Sequence, residues 1–184
     1  EVLVEAYQQD RLDTRAFVLV RHARAKRRKA WTGDDDLRPV TKNGARRARQ
    51  LKALISAYGV KHLASSPSER CVATLRPFAE ASGLKIRTYD PLTEPGHASA
   101  PVKTAGVLAN LLGKEVSRAV CVHRPTMPTI VEMLRAATRG YTRGALPRKN
   151  PFLPAGGTLI AHIMDTESGP RVVAVETHLL NVHP

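Results

Sequence analysis

The chain has 184 residues, 42% of them hydrophobic and 24% charged, which is the balance of one globular domain with a full core and excludes a fibre or a disordered tail. Its 29 Lys and Arg against 16 Asp and Glu give a formal charge of +13 and a pI near 10.4, which favours polyanionic partners, either phosphorylated ligands or nucleic acid. No apolar run approaches the roughly 20 residues that span a bilayer, so no membrane partner is expected, and two cysteines without CxxC spacing, Cys71 and Cys121, speak against a disulfide framework or zinc ribbon and for a reducing, cytoplasmic setting.

Residues 1–14 hold four acids and one base, whereas from Arg15 onward bases outnumber acids 28 to 12. The opening is therefore expected to be a helix and linker set apart from a domain over 15–184. It fits either the end of a lost preceding domain or an ordinary N-terminal helix of the same domain. Residues 16–20, AFVLV, are a continuous apolar run followed at once by charge, the pattern of a strand buried on both faces in a parallel sheet. Between Thr41 and Tyr58, the residues Ala45, Ala48, Leu51, Leu54 and Ile55 recur at helical spacing, with Thr41 placed to cap and Gly59 to stop the helix. A strand at 60–65, a helix at 68–81 stopped by Gly83 and a strand at 85–89 follow. Next come a helix at 102–112, a strand at 119–122 and a helix at 126–138 with Pro128 in its first turn, where proline is tolerated.

The Gly/Pro/Arg stretch 139–157 has no clear period, and loops of that length inside a domain are usually functional or mobile. Its Arg139, Arg143, Arg148 and Lys149 form a basic patch suited to a lid. TLIAHIM at 158–164 and RVVAVET at 171–177, joined by a turn containing Ser168, Gly169 and Pro170, predict a hairpin at a sheet edge. The alternation of strands and helices predicts an α/β fold, a three-layer α/β/α sandwich with a mainly parallel sheet, in which ligands bind beyond the carboxyl ends of the strands.

That rule directs attention to the residues after each strand: Arg21-His22, then Ser65-Ser66-Pro67-Ser68-Glu69-Arg70, then Glu94, then His123-Arg124. One histidine after a strand is ordinarily structural. Two, each beside an arginine in a basic protein, point to an anion site. The chemistry suits phosphoryl transfer: a neutral imidazole can attack phosphorus, guanidinium groups can hold the nonbridging oxygens, and neither a metal nor another cofactor is expected. The run Ala23 to Lys29 adds Arg24, Arg27, Arg28 and Lys29 directly after His22, either as a solvated loop or as a funnel for a substrate with several phosphates. Asp34, Asp35 and Asp36 could hold Arg24 or Arg28 in place, and both cysteines read as small buried apolar residues.

VLVRHARA, SSPSERCVAT and VCVHRP together resemble the motifs of the histidine phosphatase superfamily, which has the phosphoglycerate mutase-like fold. Arg21-His22-Ala23 replaces the family's Arg-His-Gly with the form familiar in its small SixA-like branch, which DLRPVTKNGARRA at 36–48 also resembles. The resemblance covers about 16–177 and implies that His22 is the nucleophile, that Arg21 and Arg70 are phosphate ligands and that His123 is the second pocket histidine. It offers Glu94 as the proton donor, although the small branch often lacks one and the alternative is an exposed loop carboxylate. The chain is also similar to the phosphatase domain that follows a MutT-like Nudix hydrolase domain in actinobacterial proteins. That similarity implies a nucleotide or dinucleoside polyphosphate substrate and a Nudix partner domain; a stand-alone protein phosphohistidine phosphatase is the alternative. A noncatalytic nucleic-acid-binding module is disfavoured because aromatic residues are only 4%, leaving few stacking platforms.

Overall fold

The computed structural model describes residues 13–138 and 140–179, so the N-terminal helix expected over 1–14 lies, but for its last two positions, outside the described residues. Six strands form one sheet: β1 (Arg15–Arg21), β2 (His62–Ser65), β3 (Ile86–Thr88), β4 (Arg118–Val122), β5 (Thr158–Thr166) and β6 (Gly169–His178). Their order is β3-β2-β4-β1-β5-β6. The pairs β2–β3, β2–β4 and β1–β4 are parallel, while β5 runs antiparallel to β1 and β6 antiparallel to β5. The mainly parallel sheet and the edge hairpin are both as expected, except that β6 begins at Gly169 and the register pairs Thr166 with Gly169, leaving Glu167 and Ser168 as the turn.

Five helices pack on the sheet: α1 (Lys42–Ser56), α2 (Glu69–Ser82), α3 (Glu94–Ser99), α4 (Pro101–Leu112) and α5 (Met127–Ala136). α1 starts where Thr41 Oγ1 accepts a hydrogen bond from the Gly44 amide, satisfying one of the free donors of a first turn. α2 stops at Gly83 with φ of 70°, a left-handed conformation that glycine adopts without strain. Alternate residues of each strand feed two cores. Phe17, Leu19, Val120, Val122 and Leu159 pack with Leu108, Leu112, Met127, Ile130 and Leu134 of α4 and α5. Val18, Val20, Ala119, Cys121 and Ile160 pack with Leu51, Ile55, Cys71, Leu75 and Phe78 of α1 and α2. Leu51 is fully buried, and its truncation to alanine would cost about 2–5 kcal/mol by leaving a cavity under α1.

Adjacent β1 and β4 send their chains to opposite faces, β1 toward α1 and β4 toward α5. This creates a crevice at their carboxyl ends, the place where such sheets bind ligands. Two expectations are corrected. Glu94 is not on an exposed loop but is the first residue of α3, a short helix that sequence period did not suggest. It is capped by Thr93, whose Oγ1 accepts from the Gly96 amide. The 139–157 stretch is not a free lid either. It contains a 3-10 turn over Gly140–Ala145, buries Leu146 and Leu153, and ends in hydrogen bonds from the Gly156 amide to the carbonyls of Arg21 and His22. Arg139 lies outside the described residues.

Candidate active site

The peptide bonds after β1 are fixed from two sides. The His22 amide donates to Val122 O at the end of β4, and the Arg21 amide donates to Gly157 O. The Ala23 amide donates to Thr74 Oγ1 on α2, which itself donates to Arg70 O. His22 is thereby held at 9% exposure. Its Nδ1 lies 2.8 Å from Ala23 O, and because a carbonyl only accepts, Nδ1 carries the proton. The neutral ring then keeps its lone pair on Nε2. Burial lowers the His22 pKa from its ordinary value, so this neutral tautomer is the form present at pH 7.

His123, just past β4, is fully buried, with its ring centroid 5.3 Å from that of His22. Its environment acts in the opposite sense. Burial opposes its charge, but Cys71 and Glu94 outweigh burial and push its pKa up to about 9. Its Nδ1 is 3.4 Å from Glu94 Oε1, its Nε2 is 2.8 Å from Ser66 Oγ, and Cys71 Sγ lies 3.5 Å from Nε2. Ser66 Oγ donates to Ser68 Oγ, and Ser68 Oγ donates to Asp36 Oδ1 at 2.6 Å. The imidazolium thus has a carboxylate on one nitrogen and, on the other, a hydroxyl chain ending at a second carboxylate.

Arg70 is 1% exposed. Its Nη1 donates to Asp35 O at 2.6 Å, its Nη2 donates to Glu94 Oε1 at 3.3 Å, and that Nη2 is also 3.1 Å from Asp35 Oδ2. Arg21 donates from Nη1 to Leu153 O at 2.7 Å. The Nε of Arg21 and the Nε of Arg70 are both buried without a hydrogen-bond partner. A buried donor left unsatisfied costs about 1–3 kcal/mol, more when charged, so two beside one histidine pair mark a place made for an anion. Glu94 is ionised here. Its hydrogen bond with His123, against the opposing effect of burial and with the help of Arg28, holds its carboxyl well below the usual range.

The structure therefore brings together Arg21, His22, Arg70, Glu94 and His123. Of the basic loop, only Arg28 joins them, bridging Glu94 at 2.6 Å and Asp35 at 3.1 Å. Arg24, Arg27 and Lys29 are exposed. Asp35 binds Arg28, Arg38 and Arg70; burial opposes its ionisation, yet these partners hold its pKa at about 2. Asp35, Asp36, Ser66 and Ser68 are site residues that the sequence did not single out individually. Beside Glu94 opens a cavity of about 620 Å³ lined by Arg28, Trp31, Asp35, His97 and Pro125 among others. His22, Glu94 and His123 also offer ligand atoms within 4.8 Å of one another, but Arg21, Arg70 and the protonated His123 make the spot electropositive and suited to an anion rather than a cation.

A model of the histidine phosphatase superfamily (branch 1) matches residues 17–100. The 8-oxo-(d)GTP phosphatase of Mycolicibacterium smegmatis is 30% identical over 135 residues, which is 72% of this chain and 42% of that protein; the chain spans about two fifths of the relative's length. The provisionally named phosphohistidine phosphatase SixA of Nakamurella multipartitia superposes with a TM-score of 0.67 at 20% identity, over 94% of this chain and 100% of that one. The protein histidine phosphatase SixA in complex with tungstate gives 0.59 at 20% identity, over 89% and 94%. Mycobacterial glucosyl-3-phosphoglycerate phosphatase gives 0.57 at 14%, over 93% and 100%. At such identities the superpositions speak for the fold alone. Together with the match over residues 17–100, they show that this chain has the histidine phosphatase fold and is similar to that superfamily over nearly half of its length.

Proposed function

We propose that the chain hydrolyses phosphate monoesters or anhydrides through a phosphohistidine on His22, with no metal in the transferring step. The observation that carries this is the pair of unpartnered buried guanidinium Nε groups, Arg21 and Arg70, next to a histidine whose Nε2 lone pair is free. Nε2 attacks phosphorus and the bond to the leaving oxygen breaks. Nδ1–H stays on Ala23 O, which steadies the positive ring as it forms. Arg21, Arg70 and protonated His123 take up the charge on the nonbridging oxygens. Water then attacks the phosphohistidine, returning neutral His22 and releasing phosphate. Glu94 is the carboxyl placed to protonate the leaving oxygen. Phosphate settling on Arg28, Arg70 and His123 absorbs the positive charge that keeps Glu94 ionised, so its proton affinity rises in the loaded site.

Nucleotides or dinucleoside polyphosphates are the proposed substrates. The nucleotide activity in the relative's name and the adjoining cavity with Trp31 and Arg28 support this choice. Work alongside a Nudix, MutT-like domain belongs to the same proposal and rests on the motif resemblance. The second reading, a SixA-like protein phosphohistidine phosphatase, is supported by the SixA structural neighbours. The test is a pulse with substrate labelled in the transferable phosphoryl, quenched in alkali. Label that survives base, is lost in acid and is absent from inactive His22→Ala is the expected outcome; an alkali-labile label would place the phosphoryl on a carboxylate instead. Phosphate release is expected to survive excess EDTA, and a parallel screen of nucleotides against a phosphohistidine protein separates the two substrate classes.

A further inference from the structure

A second cavity, of about 360 Å³ and, unlike the first, predominantly basic, lies at the amino end of the sheet. Arg118 opens β4, whereas His123 follows its end, so the two places are roughly 16 Å apart along the strand. Register assembles the cavity: His62 stands opposite Arg118, and Ala64 opposite Arg87, so His62, Arg87 and Arg118 share one face of three neighbouring strands. The end of α4 and the turn after it close the space with Leu111 and Lys114, and Tyr89 forms a wall with the Arg87 guanidinium 5.4 Å from its ring centroid. With Lys85, the lining carries four fixed cations against one acid, Glu115.

Arg118 is the telling residue. It is 6% exposed, its Nε has no hydrogen-bond partner, and among the described residues no carboxylate pairs with it. Neighbouring Arg15, similarly buried, shows the ordinary solution, a two-bond clamp on Asp165 at 2.7 and 2.9 Å. Burial and the charge of Arg15 lower the Arg118 pKa, yet a guanidinium does not give up its proton, so its charge lacks a counterpart among the described residues.

We propose that this cavity binds a small phosphate-bearing ligand, with the phosphate on Arg118 and Lys114 beside His62 and the organic part against Tyr89 and Leu111. An anion with several acceptor oxygens satisfies the orphan donor and balances the cluster's charge, and the volume falls within the usual span for small-molecule sites, roughly 300–1,000 Å³. The site is independent of the His22 chemistry.

The test uses the full chain, isotope-labelled for amide NMR and titrated with methylenediphosphonate, a phosphate probe that phosphatases do not cleave. Two separate sets of saturable shifts are expected, one around His22 and one at His62, Arg87, Lys114 and Arg118. Arg118→Met and Lys114→Glu should each weaken the second set by at least about tenfold while leaving the first set and phosphate release unchanged. Arg118→Met should also raise Tm, because it removes an unpaired buried charge; should it fail to fold, the exposed Lys114→Glu decides the matter. Shifts confined to the His22 set, or a second set indifferent to both substitutions or equally saturated by malonate, would overturn the proposal.

Discussion

Arg21 and Arg70 differ from Arg24, Arg27 and Lys29 in what surrounds the charge rather than in the charge itself. The first two are held by packing and by carbonyl acceptors, with one donor each left over. The other three are exposed on the loop after β1. A fixed, desolvated guanidinium acts on one ligand atom through a short, directed bond. Exposed charges act through the field they add together, which water and salt screen over about 8 Å at physiological ionic strength. A basic protein can therefore contain two functional kinds of arginine that its composition does not distinguish.

Substitutions at each kind should differ in magnitude and in salt response. The largest effect is expected for Arg70→Lys, which keeps a charge but loses the fork that spans Asp35, Glu94 and phosphate. Steady-state kinetics should show kcat lowered by about 10²–10³, with a loss that salt does not reproduce. Glu94→Gln should come next, slowing alkyl phosphates by up to about 10² but an activated nitrophenyl ester only about threefold. Equal losses on both esters would make Glu94 a positioning residue for His123 and Arg70 alone.

On the proposed mechanism the two histidines set the pH profile. His22 has its pKa lowered from the ordinary 6.5, so the neutral nucleophile persists below that value, and the acid limb of kcat/KM should lie under it. His123, raised to about 9, loses its proton above that pH, and activity should then fall about tenfold per pH unit. His123→Asn should abolish the alkaline limb. Folding stability carries the same signs. The His123 contribution is complete below pH 6.5, its unfolded value, and is lost as pH rises through about 9. That of Glu94 is present above 4.5 and is lost as pH falls below it. The smallest effect is expected for joint neutralisation of Arg24, Arg27 and Lys29. At low salt it should lower kcat/KM for a nucleoside diphosphate by about three- to fivefold, spare kcat and barely change an aryl phosphate; added salt should mimic it. A loss of kcat instead would give these residues a part in the chemistry.

The motifs were legible because a parallel sheet gathers the residues at the carboxyl ends of its strands, whatever the sequence distance between them. Arg21-His22 and His123 needed only the buried runs before them, and Thr41 and Gly83 marked helix ends by their own chemistry. The helix that opens with Glu94 was hidden because Pro95 and Gly96 look like loop residues, whereas Thr93 caps a helix in which a proline at the second position is tolerated. The sequence offered Asp35 as a partner of Arg28, which it is, but not the ties of Asp35 to Arg70 and of Asp36 to Ser68, whose partners are more than 30 positions away. Arg47, which the sequence reading did not single out, shares the buried stripe of Gly44, Ala48, Leu51 and Ile55. Spacing alone would have placed it there.

Arg47 gives both its Nε and its Nη2 to Gly156 O at 3.0 and 2.7 Å, while the Gly156 amide holds the carbonyls of Arg21 and His22. Gly156 has φ of 76°, and a Cβ there would come within 2.7 Å of the Arg47 side chain, so no other residue fits. β1 itself is flanked by β4 and β5, both of which are synthesised long after it. Arg21 and His22 are thus synthesised before the residues that complete their surroundings: a nascent chain that ends before Gly156 has every motif residue but lacks the Gly156 and Gly157 hydrogen bonds to the backbone of Arg21 and His22. If His22 acts as proposed, activity should switch on during synthesis only once β5 has emerged and closed on β1.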